Sequence, residues 1–428
     1  MSDAVLDATT WYRATAGEPP ETPPLDALPG HVDVCVIGAG LTGLSAALEL
    51  VTAGYSVAVF DTGPIGWGAS GRNGGQVCTG YSPGMDSFES QLGEADARLC
   101  FDVAEEGKQL IRERVERHSI NCHLTWGYVH AAARPSHMDG LKEHKEQLEH
   151  YGATGLAMLN RDEARARIAS DAYHGGLYEA DAGHIHVLEY TLGLARAVLA
   201  KGGQVFENAR VTSVADGQPA TLTLANGATI SCETVIVACN AYLGNLVPGL
   251  NHRVMPVASY VIATQALGEE RARSLLRDND AVSDSNYVVD YFRTTEDHRM
   301  LFGGRCSYSG IHPRDLAANM MPRLLRIFPQ LEGVKADYAW GGHIGITYNR
   351  LPDVGRHGRS IWYAHGFSGQ GVVISGILGK VLAQAVDGDQ SRFDVFAKIR
   401  HMPFPGGLLR RPALTLGMLY YRLRDLLS

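Results

Sequence analysis

The sequence predicts an α/β fold of mixed α+β type, on three observations. A strand, a glycine-rich turn, a helix and a second strand succeed one another near the N-terminus. Another strand, a second glycine-rich turn and an apolar helix close the organised part of the chain. Between them lie helices and a series of strand signals bounded by turn residues, as in a mixed or antiparallel sheet.

Residues 1–30 are expected to form an N-terminal arm, extended where Gly17 to Pro29 is rich in proline. Val32 to Ile37, "VDVCVI", is short, apolar and β-branched, the pattern of a buried strand. Gly38-Ala39-Gly40-Leu41-Thr42-Gly43 comes next, and an apolar helix runs through Leu50 until Gly54 stops it. Tyr55 to Phe60 is the second strand, closed by Asp61. Helices are expected over Glu89–Arg117, Met138–Tyr151, Arg161–Ile168 and Leu188–Lys201. Strands are expected at Gln204–Phe206, Arg210–Val214 and Thr221–Ala225, with Asn226-Gly227 as a type I′ turn into Thr229–Cys232. Thr234–Ala238 reads as a buried strand, and strand signals recur from Val254 to Tyr308, including "YVVDYF". Ser360–Ala364, "HGFSGQG" and a helix to about Ala385 form the last unit, and residues 401–428 are expected to end in an amphipathic tail helix.

Composition excludes several function classes. A formal net charge of −8 with no Lys/Arg cluster disfavours nucleic acid as a partner. The seven cysteines, at 35, 78, 100, 122, 232, 239 and 306, form no C-x-x-C pair, which disfavours a disulfide framework or a zinc site and fits a reducing cytoplasm. The N-terminus has no basic segment leading into an apolar one, so no secretory signal is expected there, and no apolar run is long enough to span a membrane.

The turn G-x-G-x-x-G has its full context here. Gly38 permits the tight turn, Gly40 lets the backbone approach a pyrophosphate, and Gly43 lets the helix pack on the sheet. The helix N-terminus then presents free N–H groups and a positive dipole end to the phosphates. Asp61 stands where a carboxylate accepts from a ribose hydroxyl, which argues against a 2′-phosphate. Two features favour FAD over NAD. The chain passes directly from Asp61 into Gly68-Ala69-Ser70-Gly71-Arg72-Asn73-Gly74-Gly75-Gln76, whose glycines suit close approach to a ligand. The later turn His365-Gly366-Phe367-Ser368-Gly369-Gln370-Gly371 opens a helix whose N-terminus suits the pyrimidine end of a flavin, where reduction places negative charge.

The stretches "DVCVIGAGLTGLSAALEL", "IGWGASGRNGGQ", "GHIH", "VIVACNAYLG", "RLPDVG" and "YAHGFSGQGV" resemble the FAD-dependent amine and amino-acid oxidases of the D-amino-acid-oxidase type. Within that family, "LTWGYVHAA", "ASDAYHGGL", "DYFRTTEDHRMLFGG", "FPQLEGVKADYAW" and "PFPGG" bring the similarity nearest to the bacterial enzymes that oxidise γ-glutamylputrescine. The resemblance implies a Rossmann-like FAD-binding domain over residues 31–86, 181–244 and 341–400, interleaved with a substrate domain over 87–180 and 245–340. It implies cofactor contacts from Gly38, Gly40, Leu41, Thr42 and Asp61, and from Ser70, Gly71, Arg72, Asn73, Gly74, Gly75 and Gln76. It adds the backbone of Val211 and Gly366, Phe367, Ser368, Gly369, Gln370 and Gly371. Arg72 is expected to contact the pyrophosphate or to order its loop. No cysteine lies beyond Cys306, so FAD is expected to be held without a covalent bond to a C-terminal cysteine. Val187, Arg305 and Cys306 depart from the pattern of the subgroup.

The implied chemistry is hydride transfer from an amine to flavin N5, imine hydrolysis to aldehyde and ammonia, and reoxidation by O2 with release of H2O2; the cofactor carries it. Tyr287 and Tyr291, at alternate positions of an expected strand if Tyr287 to Tyr291 is regular, share a face and suit a cationic amine, although ordinary strand packing accounts for them equally well. Asp290 and Tyr308 lie in the same cluster. Arg305 suits an α-carboxylate or glutamyl group, although an ordinary surface arginine accounts for it equally well. His343 is placed to tune amine protonation or oxygen reactivity, with a structural role as the competing account. His184 and His186 alternate on a strand-like segment; a third metal ligand is absent, so no metal is expected and structural or flavin-side contacts are. Two other functions fit the same residues: an amino-acid or secondary-amine dehydrogenase that passes electrons to a quinone, and a non-catalytic dinucleotide-bound regulatory protein. The oligomeric state and the identity of the amine are open at this level.

Overall fold

The computed structural model describes residues 8–286, 288–307 and 312–404, with the side chain of Arg305 excepted. Two sheets organise them. The first runs Asp353–His357, Ile361–His365, Thr229–Val237, His31–Ile37, Val57–Phe60, Gln204–Phe206, and is parallel along this path except at its Asp353–His357 edge; the hairpin Val211–Ala215/Ala220–Leu224 joins it antiparallel to Thr229–Val237. Pleat alternation divides its residues. Val34, Val36, Val57 and Val59 pack into one apolar core with the helices Leu41–Thr52, Val187–Ala200 and Gly371–Val386. Cys35, Ile37, Ala58 and Phe60 face the opposite way, under the hairpin Val211–Ala215/Ala220–Leu224. This is the doubly covered parallel sheet that the continuous "VDVCVI" run requires.

The second sheet runs Ala336–Thr347, Val254–Thr264, Met300–Ser307, Tyr291–Thr294, Ala281–Asp284, Thr125–Ala131, Gly176–His184, Gln76–Val77. It is antiparallel apart from the Ala281–Asp284/Thr125–Ala131 pair. Alternation again sorts its side chains. Val129, Ala131, Ala258, Tyr260, Ile262 and Phe292 form one core with the helix Leu316–Ile327. Their neighbours Tyr128, His130, Ser259, Val261 and Tyr291 line a cavity that extends to the first sheet.

Several expectations are corrected. The region Glu89–Arg117 is two helices, because Gly93 at φ +80 breaks it into Asp86–Leu92 and Glu94–Arg117. Asn226 does not have the positive φ that a type I′ turn needs; only Gly227 does, at +87, in a turn closed by Gly227 N–H to Leu224 O at 3.0 Å. Residues 17–24 have no helix or strand, as an extended arm would, but the segment before them is packed against the body of the protein. Trp11 and Tyr12, in the short helix Trp11–Thr15, are completely buried. Trp11 Nε1 donates to Asp297 at 3.1 Å, and both rings pack against His186 with centroids 4.9 Å away. The polar spacer hid this, since two aromatics in an otherwise tether-like stretch give no periodic signal. The expected tail helix lies outside the described residues from 405 onward. No single helix among the described residues is long and apolar enough to cross a membrane.

Truncating a fully buried tryptophan leaves a cavity and removes one of the donors to the Asp297 carboxylate, which keeps those of Thr295 and Arg299. Trp11→Ala is expected to destabilise the protein by about 3–5 kcal/mol, read as a lowered urea midpoint with an unchanged slope.

Candidate active site

The cavity has a volume of about 750 Å³, within the range of small-molecule and cofactor sites, roughly 300–1,000 Å³. One end is built by the first strand and helix. Gly38 holds φ +115, a conformation that side-chain-bearing residues rarely adopt, and a β-carbon there would lie 2.7 Å from the Ala238 carbonyl oxygen. A β-carbon on Gly40 would come 2.7 Å from Ser70 Oγ, closing the floor of the cavity. Leu41 and Thr42 line the same end, and Ser70 Oγ accepts from the Leu41 N–H at 3.0 Å. Gly43 does not reach the cavity lining; it packs against the Gly38 carbonyl and Val36, where any side chain would collide.

Asp61 closes the second strand at the cavity wall. Its Oδ2 accepts from Ala39 N–H at 2.7 Å and its Oδ1 from Gly63 N–H at 3.0 Å. Burial raises its pKa, the two backbone bonds oppose the rise, and the Glu207 charge adds to it. The Asp61 carboxylate, at the cavity wall, suits neutral ribose hydroxyls and disfavours a 2′-phosphate.

Ser70–Gln76 runs from this end toward the second sheet. Arg72 is buried; its Nε donates to Trp67 O at 2.7 Å and Nη1 to Gly341 O at 3.2 Å, and its own carbonyl accepts from Trp340 Nε1 at 2.9 Å. These contacts hold the loop to the last strand of the second sheet. Asn73 braces the loop from within, donating to Ala69 O at 2.8 Å and accepting from Gly75 N–H at 2.7 Å. Gly74 lies against the Tyr291 ring, where a β-carbon would come within 2.6 Å of Cε2. Ser70, Arg72, Asn73, Gly74 and Gln76 line the cavity; Gly71 and Gly75 pack behind it.

The far wall comes from the late turn. Phe367, Ser368, Gly369, Gln370 and Gly371 line the cavity, with Val211 opposite, while Gly366 packs against Thr347. The helix Gly371–Val386 starts here with no side chain capping it, so its first N–H groups and positive dipole end face the cavity. Asn240, which the sequence did not mark, accepts from Gly366 N–H at 2.9 Å and shapes this turn. Two helix N-termini, a buried ribose-side acid and glycine floors along one elongated cavity fit a dinucleotide whose second ring is a flavin.

The remaining space lies over the second sheet. His343 and Tyr291 line it, and the Tyr242 hydroxyl, accepting from His343 N–H at 3.1 Å, fixes the strand beneath. Burial raises the Tyr291 phenol well above its ordinary value. Tyr287 and Tyr308 lie outside the described residues, as does the Arg305 side chain, whose backbone is in the Met300–Ser307 strand. The strand is only Tyr291–Thr294, and the described residues 288–290 before it are in no strand. The Asp284 carboxylate accepts from the N–H groups of Asn286 and Asp290, which folds 284–290 back on itself. Asp290 lies behind this turn, held by Arg323 at 2.6 and 2.9 Å. His184 and His186 are not on one strand either. His184 ends the Gly176–His184 strand, whereas His186 caps the helix Val187–Ala200 by accepting from Glu189 N–H at 3.1 Å. Burial, then the Arg293 charge, holds both imidazoles down at about 3, so they are neutral structural groups away from the cavity. Among the described residues, no cluster of three His, Cys, Asp or Glu could hold a metal.

A model of FAD-dependent oxidoreductases, the DAO family, matches residues 33–385. The chain belongs to this family. Its cofactor is FAD, and it is an FAD-dependent oxidoreductase. It is 42% identical to the γ-glutamylputrescine oxidoreductase of Escherichia coli over 98% of this chain and 99% of that one. It is 36% identical to the probable oxidoreductase OrdL of Haemophilus influenzae over 97% of each. Among solved structures, the fold is shared with the glycine oxidase of Geobacillus kaustophilus at a TM-score of 0.72 and 23% identity, covering 87% of this chain and all of that one.

Four side chains of the cavity carry no sequence signal: Tyr128, His130, Ser283 and Asp284. They belong to short strands distant in sequence and meet only through sheet pairing. Asp284 is buried, and burial together with the Asp290 charge raises it to about 7.

Two outcomes are expected here. Arg72→Ala leaves the Trp67 and Gly341 carbonyls without these donors, at about 1–3 kcal/mol, so FAD retained through gel filtration should fall about tenfold in affinity; unchanged flavin content would count against the loop-ordering role. Asp284 titrates near about 4 when unfolded and at about 7 when folded. Its folded pKa is raised, so its contribution is full below about pH 4 and is lost as the pH rises to about 7. Asp284→Asn should therefore gain stability over the native chain across that window, by about 2–4 kcal/mol at most, measured by thermal denaturation at each pH.

Proposed function

We propose that the protein oxidises an amine at its C–N bond, the substrate being a polyamine derivative such as γ-glutamylputrescine. The observation that carries this reading is the composition of the cavity beyond the cofactor cradle. A buried carboxyl group, Asp284, lies there with the rings of Tyr128 and Tyr291, a setting that attracts a cationic amine. The nearly full-length likeness to a γ-glutamylputrescine oxidoreductase supports the finer choice of substrate. Arg350, exposed at the rim, offers a guanidinium for a glutamyl carboxylate, and Arg305 is proposed to share that task.

Bound FAD supplies a two-electron acceptor for the hydride of the α-carbon. This chain's residues do the placing. Tyr128 and Tyr291 confine the alkyl chain, Asp284 compensates its charge, and His343 edges the reacting centre. The sheet and the Ser70–Gln76 loop exclude bulk water, so that charge interactions inside are strong. With O2 as acceptor the balance is R–CH2–NH2 + O2 + H2O → R–CHO + NH3 + H2O2.

A panel of amines added without air is expected to bleach the flavin most rapidly with γ-glutamylputrescine, and admission of air should yield one H2O2 per aldehyde. Bleaching without peroxide would replace O2 by another acceptor, such as a quinone. Bleaching by free amino acids but by no γ-glutamyl amine would overturn the substrate assignment.

A further inference from the structure

An amine of this class is protonated at neutral pH, with a pKa near about 10, and an ammonium carbon has no lone pair beside it to expel a hydride. Something must take the proton. Three adjacent strands bring together a group able to do so. His130 on Thr125–Ala131 is paired in register with Ser283 on Ala281–Asp284, and Tyr128, two residues earlier, is paired with Glu179 on Gly176–His184. His130 Nε2 is 2.7 Å from Glu179 Oε1, and His130 Nδ1 is 3.3 Å from Ser283 Oγ. Ser283 and His130 line the cavity, whereas Glu179 lies behind them and is only 2% exposed.

We propose that Ser283 and His130 form a relay that deprotonates the substrate ammonium, with Glu179 as its positioning residue. This rests on the amine reading above. An ionised Glu179 accepts from Nε2–H, which fixes that tautomer and leaves Nδ1 as an acceptor facing Ser283. The substrate N–H proton passes to Ser283 Oγ as the hydroxyl proton passes to Nδ1. The ammonium becomes a neutral amine, and the positive charge moves to an imidazolium beside a carboxylate. The proton then leaves through the His130 side chain, which is 21% exposed.

The surroundings agree with this assignment. Burial by itself would raise Glu179, but the hydrogen bond and charge of His130, with the Lys108 ammonium, outweigh it and hold the carboxyl down at about 2. Facing His130 from other elements are His144, on the helix His137–His150 with its ring 5.8 Å away, and Asp284 beside Ser283. Burial, then His130, lowers His144 to about 4, so it stays neutral and adds no competing charge. The Tyr128 ring, on the same strand as His130, packs against the imidazole with centroids 4.8 Å apart. Lys108, whose Nζ donates to Thr79 at 2.9 Å, and Glu105 close the network on the helix Glu94–Arg117.

The test is the rate of anaerobic flavin bleaching by γ-glutamylputrescine from about pH 6 to 10, bracketing the amine's own titration, in native, His130→Gln, Glu179→Gln and Ser283→Ala proteins, each loaded with FAD. A general base contributes roughly 10²–10⁴-fold. His130→Gln should be about 1,000-fold slower near pH 7, about three units below the amine's pKa. It should then gain about tenfold per pH unit, tracking the neutral fraction of the amine, and approach the native rate at about pH 10. Ser283→Ala, a small change at a strand position, should steepen in the same way, and Glu179→Gln should do so to about a tenth of the extent. Variants that parallel the native pH profile would overturn the relay while leaving the amine reading intact. A native protein bleached by no amine would overturn both.

Discussion

The architecture depends on one buried cation. Arg293 is 1% exposed, and no carboxylate bonds it among the described residues. Its guanidinium donates instead to the carbonyls of Gly74, Ile185 and Thr294 and to the Tyr12 hydroxyl, at 2.9–3.2 Å. The rings of Trp11 and Tyr12 lie near its charge, at 5.7 and 6.0 Å. A charge taken out of water is tolerated only if its donors are met. That requirement pins together the N-terminal helix, the loop along the cofactor cavity, the segment joining the two sheets and the Tyr291–Thr294 strand. Together with burial, the Arg293 charge keeps His184 and His186 neutral: His186 accepts from the Glu189 N–H, and His184 donates its Nε2–H to the Asn279 carbonyl.

The pleat of the second sheet converts this scaffold into a site. One face is apolar and meets the helix Leu316–Ile327; the other supplies Tyr128, His130, Ser259, Ser283 and Tyr291 to the cavity. A one-residue slip in any of these strands would exchange the two faces. Gly74 and Gly303, both against the Tyr291 ring, show how closely the loop and its neighbouring strand have to approach there.

The cofactor half was legible because its signals are local. A strand, three glycines, a helix and an acid sit within one short stretch, and each residue type is required by backbone geometry or by the ligand. The substrate half was not. Tyr291 and His343 were found through aromatic spacing and resemblance, whereas Ser283, His130 and Glu179 are brought together by strand pairing between segments with no shared periodicity. Trp11 and Tyr12 were missed for a related reason, since Trp11's partner Asp297 is 286 positions away. Short-range pattern cannot report such contacts.

That separation has a consequence for biogenesis. The first strand of the parallel sheet is synthesised early, but its partner Thr229–Val237, and the strand Ile361–His365 beyond that partner, emerge much later. Trp11 must wait for Asp297 at a spacing of 286 residues, which at about 5–20 residues per second is roughly 15–60 s on the ribosome. During that interval "VDVCVI" and two large aromatic side chains are without their native cover. A nascent chain of this design presents a sustained binding site for chaperones, and the N-terminal helix seals the molecule only once most of the polypeptide has been made.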